Sequence, residues 1–236
     1  MSISLIELGE LMVSSAQRRL EAIAENVSGT ATPGYKRALS FDEALDVRST
    51  HTVQQPSSGD SDLAAGPLRQ TGRALDLALI GEGFFALRGE SGSYYTRAGA
   101  FERASDGRLI SPSGLALQDA SGGDIIIESN NPEILADGVV LDNGAPTARI
   151  GLFRPSEDAR LVSVNGALFQ GEGAKMIEAR QIAVRQGALE NSNVELAAEM
   201  VDMMAALRRA EAGARVIQTY DALIGQSITT LGRSQR

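Results

Sequence analysis

Cysteine and tryptophan are absent from this chain of 236 residues, histidine occurs once, and aromatic residues make up only 4%. Without cysteine there can be no disulfide framework and no thiolate ligand for a metal. The single histidine, His51, lies in a polar stretch with no triad partners around it and no second imidazole to share an ion. Few aromatic side chains leave little to line a small-molecule pocket. No apolar run is long enough to cross a bilayer, so direct membrane insertion is not expected. A secretory signal peptide is not expected either. The stretch before Arg18 has no basic region, and Glu7, Gly9 and Glu10 interrupt its apolar character. The net charge is −8. The excess of acid lies in residues 1–192, because residues 193–236 balance, and no basic patch exists to displace counterions from nucleic acid.

The glycine-containing stretches fail as phosphate or cation sites. Gly81-x-Gly83 lacks the third glycine and the following helix of a dinucleotide fingerprint. Gly171 to Lys175 lacks the spacing and hydroxyl of a phosphate loop. Asp60-Ser61-Asp62 lacks the remaining ligands of a calcium loop. No catalytic residue, metal ligand or cofactor site is therefore expected, and the chain is read as a non-enzyme.

What the chain does have is a hydrophobic seam at each end. Near the C-terminus, Met200, Leu207, Ala214 and Ile228 fall on one seven-residue row, with Asp221 filling the same row as a polar member. Met203, Ala210, Ile217, Ile224 and Leu231 form a second row. Near the N-terminus the same alternating three-four spacing joins Ile6, Gly9, Val13, Ala16, Leu20, Ile23 and Val27. Such seams make helices that pack on other helices, and a glycine in the seam permits close approach. The patterns predict helices over residues 3–27 and from about Asn193 to Leu231. The first should stop at Ser28-Gly29, and the second should open with a capping box from Ser192 to Glu195. Asp221 either sets the register of the seam or faces water.

Between the seams the character changes. Short apolar runs, such as Leu75–Ile80, Gly83–Leu87 and Val139–Leu141, alternate with Asp106-Gly107, Ser113-Gly114, Gly122-Gly123, Asp137-Gly138 and Asn143-Gly144. This is the signature of a β-rich module, with Asp106-Gly107 and Asn143-Gly144 as two-residue hairpin turns. Phe84, Phe85, Tyr94, Tyr95 and Phe101 are read as packing within it. Arg97, two residues before Gly99, fits either an intersubunit contact or a surface salt bridge. The expected fold class is α+β. N- and C-terminal helices form a coiled-coil-like domain, with a β-rich domain inserted between them. The boundaries are 1–32 for the N-terminal assembly helix, 33–71 for an extended linker, 72–186 for the β-rich domain and 187–236 for the C-terminal assembly helix.

Three motifs carry a family resemblance. The first runs from Leu20 through Asn26 and Val27 to Thr32-Pro33-Gly34-Tyr35-Lys36. The second comprises Gly72, Asp76, Gly81, Gly83, Phe84 and Phe85, followed by Tyr95-Thr96-Arg97, Gly99 and Phe101. The third runs from Gly187 through Glu190 and Asn193 to Arg208-Arg209. In this order and spacing they resemble the signatures of bacterial flagellar rod and hook proteins, most closely the proximal-rod type. Glu25 and Gly29 stand where that family usually has asparagine. The resemblance implies a structural rod subunit that polymerises helically through its terminal helices. It also implies export through the flagellar type III apparatus without signal cleavage, a periplasmic basal-body location, and partnership with itself and other axial proteins. A distal-rod or hook subunit is the alternative within the family. A β-rich extracytoplasmic binding module carrying a self-contained helical hairpin is the alternative outside it. The physical mechanism expected for a rod subunit is coupled folding: terminal seams stay loose in the monomer until neighbours cover them.

Overall fold

A computed structural model of the chain describes residues 5–40, 61–89, 92–176 and 182–233. His51 lies outside the described residues. The described residues form two compact units: 5–27, 40 and 195–233 in one, and 28–39, 61–89, 92–176 and 182–194 in the other.

The first unit is built on helices α1 (Leu5–Gly29) and α2 (Leu196–Arg233). At 1.5 Å per residue, α2 is about 57 Å long. Both lack internal proline, and their small and straight-chain residues favour the helix. The two helices run antiparallel and pack on each other within one chain, because Arg19 meets Asp202, Asn26 meets Glu199 and Gly9 meets Gly213. The α+β class is thus observed, with the seams closing partly inside the monomer and not only against neighbours. The end of α1 at Gly29 is as expected: Gly29 O accepts from Thr32 N at 3.0 Å, and Gly34 takes a φ of 68°. The start of α2 differs from expectation. Its first helical bond runs from Glu199 N to Glu195 O, while Ser192 Oγ accepts from Val194 N in a local turn. No capping box forms, because the serine hydroxyl lies three residues too early to reach the first free amides of the helix.

The second unit contains the strands β1 (Leu68–Gln70), β2 (Leu77–Ile80), β3 (Phe84–Gly89), β4 (Gly92–Thr96), β5 (Glu102–Arg103), β6 (Leu109–Ile110) and β7 (Ala116–Leu117). It continues with β8 (Glu133–Ile134), β9 (Val139–Asp142), β10 (Ala145–Arg149), β11 (Leu152–Ser163), β12 (Leu168–Met176), β13 (Ala183–Gln186) and β14 (Ala188–Glu190). All their pairings are antiparallel. The largest sheet has the order β11-β12-β4-β3-β7-β6-β5, and a further β11–β3 pairing closes the first four strands into a circuit. Phe85, Leu87, Phe101, Leu109, Leu117, Ile125, Val140 and Ile150 fill one core, with Phe85 and Phe101 edge to face at 5.4 Å.

The turns repeat a single design. Ala104–Gly107, Ser111–Gly114, Asp119–Gly122 and Leu135–Gly138 each close with the glycine amide donating to the carbonyl three residues earlier. Each of these glycines has positive φ. The amide of the first residue of each turn then donates to the carbonyl of the residue just after the glycine. This is a four-residue turn with a glycine bulge. Asp106-Gly107 is therefore not the two-residue turn expected: Ser105 and Asp106 form the corner and Gly107 the bulge. Asn143-Gly144 is the two-residue turn expected, with φ of 52° and 81° between paired Asp142 and Ala145.

Candidate assembly interface and the buried charge centre

In the helical unit, the inward row of α1 is Gly9, Ala16, Ile23 and Asn26, all buried, with Ile6, Val13 and Leu20 half-buried beside them. The inward residues of α2 are the buried Glu199, Ala206 and Gly213, with Met203, Ala210 and Ile217 half-buried. The helix axes come close where glycine faces glycine. A β-carbon on Gly9 would lie 3.2 Å from Gly213 O and 2.7 Å from Ile217 Cγ1, and one on Gly213 would lie 3.0 Å from Gly9 O. Asn26 Nδ2 donates to Glu199 Oε1 at 3.2 Å, and Arg19 pairs with Asp202 at 3.1 Å. These two polar contacts fix the register of a seam that is otherwise small-residue and smooth.

The predicted seam thus divides. Of the α2 residues, Met203, Ala210 and Ile217 turn toward α1. The other row, Met200, Leu207, Ala214 and Asp221, faces outward, as does Ile224. On α1, Val27 is exposed and Asn26 takes its inward place. Ile228 and Leu231 lie on α2, but their side chains fall outside the described set. The outward residues are not scattered. Leu196, Met200, Met204 and Leu207 form a stripe that is 46–58% exposed, and it lies roughly 110° around α2 from the inward row. Apolar side chains in such a stripe remain in water unless something covers them.

The motif residues of the β-rich unit converge on a buried charge centre. Glu190, at the end of β14, carries a fully buried carboxylate. Its Oε1 accepts from Lys36 Nζ at 2.6 Å and from Gly66 N at 2.9 Å. Its Oε2 faces Arg97 Nε at 2.9 Å as an ion pair. Lys36 Nζ also donates to Ala64 O at 2.6 Å, and Arg97 donates to Gly81 O at 2.8 Å and Gly83 O at 2.7 Å. Burial pushes the Lys36 ammonium below its ordinary value; the hydrogen bond and charge of Glu190 oppose this, and Arg97 adds to it. Arg97 is 3% exposed. Neither expected role, intersubunit contact or surface salt bridge, is what the structure shows.

The other motif residues brace this centre. Asn193 accepts from Arg37 N at 2.8 Å and donates to Asp62 O at 2.8 Å. Gly34 N donates to Glu190 O at 2.8 Å, and Thr96 Oγ1 donates to Ala167 O at 2.6 Å. The ring of Tyr35 fits against Gly29 and Gly166; a β-carbon on either would come within 2.3 Å of its Cε2. That contact explains glycine rather than asparagine at position 29. Gly99 N-terminal to Phe101 allows Leu77 to approach its backbone, and Leu77 N donates to Gly99 O at 2.8 Å. Asp76 is buried, with Oδ1 at 3.8 Å from Arg73 Nε, and its carbonyl accepts from Gly187 N. Gly72 and Gly187, both with positive φ, meet beside it, Gly72 N donating to Gly187 O at 3.0 Å. Phe84 and Tyr95 pack edge to face on Phe169 and Phe153.

Lys36 and Glu190 were quoted in the motifs without being singled out. Glu190 is the one charge in the string from Gly187 to Val194, whereas Lys36 stands beside Arg37 and gives no signal of its own. Among the described residues, no three His, Asp or Glu side chains gather as they would around a metal, and no helix is long and apolar enough to cross a membrane.

Comparison with known proteins points to one family. The family described as flagellar basal body rod FlgEFG protein C-terminal matches residues 185–230, and the flagellar hook protein FlgE/F/G D1 domain matches residues 78–142. The flagellar basal-body rod protein FlgF of Mesorhizobium japonicum is 30% identical over 223 residues, covering 92% of each chain. FlgF of Escherichia coli is 29% identical, covering 89% of this chain and 91% of its own. The flagellar basal-body rod protein FlgG of Agrobacterium fabrum is 28% identical, covering 89% and 93%, but its alignment needs 251 positions.

Proposed function

Because the chain belongs to the flagellar basal-body rod family, as a structural subunit of the bacterial flagellum, we propose that it polymerises by burying the outward stripe of α2 against helices of neighbouring subunits. The stripe of Leu196, Met200, Met204 and Leu207 is the observation that carries this reading. Burying each large side chain contributes roughly 1.5–3 kcal/mol before ordering costs. Head-to-tail contacts whose rotation does not close propagate into a helical tube rather than a ring of fixed size. The hairpin of α1 and α2 is then the preformed unit of assembly, and its inward row is internal to each subunit.

The partners are other copies and other axial flagellar proteins. Export through the flagellar type III apparatus and a periplasmic position along the rod follow as proposals from family membership. The shorter alignment to FlgF than to FlgG favours an FlgF-type subunit. The chain length and single modest β-region favour the proximal rod.

The test is deletion of the gene, with basal bodies isolated from the deleted and complemented strains. The proposal expects rods that are truncated without the protein, restored by the wild-type chain, and not restored by Leu207→Asp although that variant folds. Complete rods in the deleted strain would sink the reading.

A further inference from the structure

Among the described side chains, the exposed methionine sulfur lies in the outward stripe. The chain has no cysteine and six methionines. Met12 and Met203 are half-buried at the helix–helix seam. Met200 is 58% exposed and Met204 is 55% exposed. They stand four residues apart, hence one above the other on the same face of α2, within the stripe assigned to assembly. The most exposed of the described methionines therefore sit in the stripe assigned to assembly.

We infer that Met200 and Met204 form a paired oxidation site, and that peroxide converts them to sulfoxides which block incorporation of the free subunit. This inference rests on the assembly reading of the stripe. In each step a thioether lone pair attacks one oxygen of hydrogen peroxide. The O–O bond breaks, an S–O bond forms, sulfur loses two electrons, and the proton on the attacked oxygen passes to the departing hydroxide, which leaves as water. The product is a strong hydrogen-bond acceptor in place of a flexible apolar chain. On the free subunit it is solvated and costs little. Buried in a subunit interface without a donor, it costs the desolvation of a polar group, while the apolar area that drove association is lost. Subunits already in the rod have the same sulfurs covered. The device therefore discriminates free from assembled protein, and methionine sulfoxide reductases can reverse it, one enzyme for each sulfoxide epimer.

The experiment treats the purified full chain with limiting hydrogen peroxide and maps sulfoxides by peptide mass spectrometry, with sedimentation at high concentration as the association readout. Sulfoxide is expected at Met200 and Met204 several-fold sooner than at Met12 and Met203. Helicity should be retained and self-association lost, then regained after treatment with both reductases. The Met200→Leu/Met204→Leu double variant should associate equally before and after peroxide. Equal oxidation rates at Met12, Met200, Met203 and Met204 overturn the inference, as does unchanged association, after oxidation of Met200 and Met204, of a chain that associates before treatment. A deleted strain complemented in parallel separates it from the assembly reading. Failure of the wild-type gene to restore swimming sinks the assembly reading. Swimming restored equally by Met200→Leu/Met204→Leu and by the sulfoxide-like Met200→Gln/Met204→Gln sinks the oxidation site alone. Loss with glutamine and rescue with leucine supports it, whether or not the wild-type chain associates in solution.

Discussion

Glu190 holds two cations, Lys36 and Arg97, inside a β-rich unit where neither could be solvated. Such a centre need not add net stability, since desolvating three charges offsets much of their attraction, but breaking it is costly. Glu190→Gln should destabilise the β-rich unit by about 3–5 kcal/mol, because it leaves two buried cations without a counterion. Urea unfolding followed by tyrosine circular dichroism measures this; a change within error of zero would mean the centre relaxes into water. The pairing was not legible in the sequence. Lys36 and Glu190 are 154 positions apart, and nothing in either motif alone says that one neutralises the other. A second residue-scale prediction concerns Asp142. Its carboxylate accepts from Glu128 N at 2.6 Å and from Ser129 N at 3.2 Å, and these bonds hold it below the usual carboxylate range against the opposing effect of burial. A depressed pKa in the folded state gives stability that is present above the unfolded value and lost as pH falls through the folded one. The wild-type chain should therefore lose melting temperature as pH drops below about 4, and Asp142→Asn should lose less of it over the same range. Equal acid slopes for the two proteins would remove Asp142 from that role.

At the scale of elements, periodicity located both helices, but it could not say which part of the apolar arc meets α1. An α-helix turns 3.6 residues per turn, so a strict seven-residue row drifts around it. On α2 the row through Met200 and Leu207 lies on the open side of that drift, and the row through Met203 and Ile217 on the closed side. Small residues decided the matter. Gly213 and Ala206 allow α1 to come close, and a pattern search for large apolar side chains passes over them. The four glycine-bulge turns show the opposite case: their glycines were legible, and only the placement of the corner relative to each glycine was missed. The division of the seam makes a paired prediction. Ile217→Asp places a charge against Gly9 in the helix pair and should lower the melting temperature of the free subunit while blocking rod incorporation. Leu207→Asp, at 48% exposure, should leave the melting temperature of the free subunit within about 0.5 kcal/mol equivalent of wild type yet block incorporation equally. Thermal melts and basal-body isolation on both variants measure it. Normal incorporation of Leu207→Asp would move the interface away from the stripe.

For the whole molecule, the two units should differ in stability although they share one chain. The β-rich unit buries a continuous core of Phe, Leu, Ile and Val side chains, whereas the helix pair closes largely over Gly9, Ala16, Ala206 and Gly213. Glycine and alanine remove little apolar area from water, and helices gain most of their stability from the face they bury. The hairpin is therefore expected to open at lower free energy than the β-rich unit, as segments with few buried contacts do. This gives a modified form of the coupled-folding proposal, in which the helices pair before neighbours arrive and neighbours supply most of what holds them shut. Amide exchange on the dilute monomer should show inward amides of α1 and α2 exchanging faster than those of β3 and β4, and slowing strongly on assembly as neighbours cover the stripe. Exchange of the helices as slow as that of β3 and β4 in the monomer would mean a finished hairpin that needs no partner, and assembly would then have to proceed by rigid docking alone. Exchange at the unprotected rate throughout both helices would mean that the pair does not persist in the free subunit, and that the full ordering cost falls on assembly.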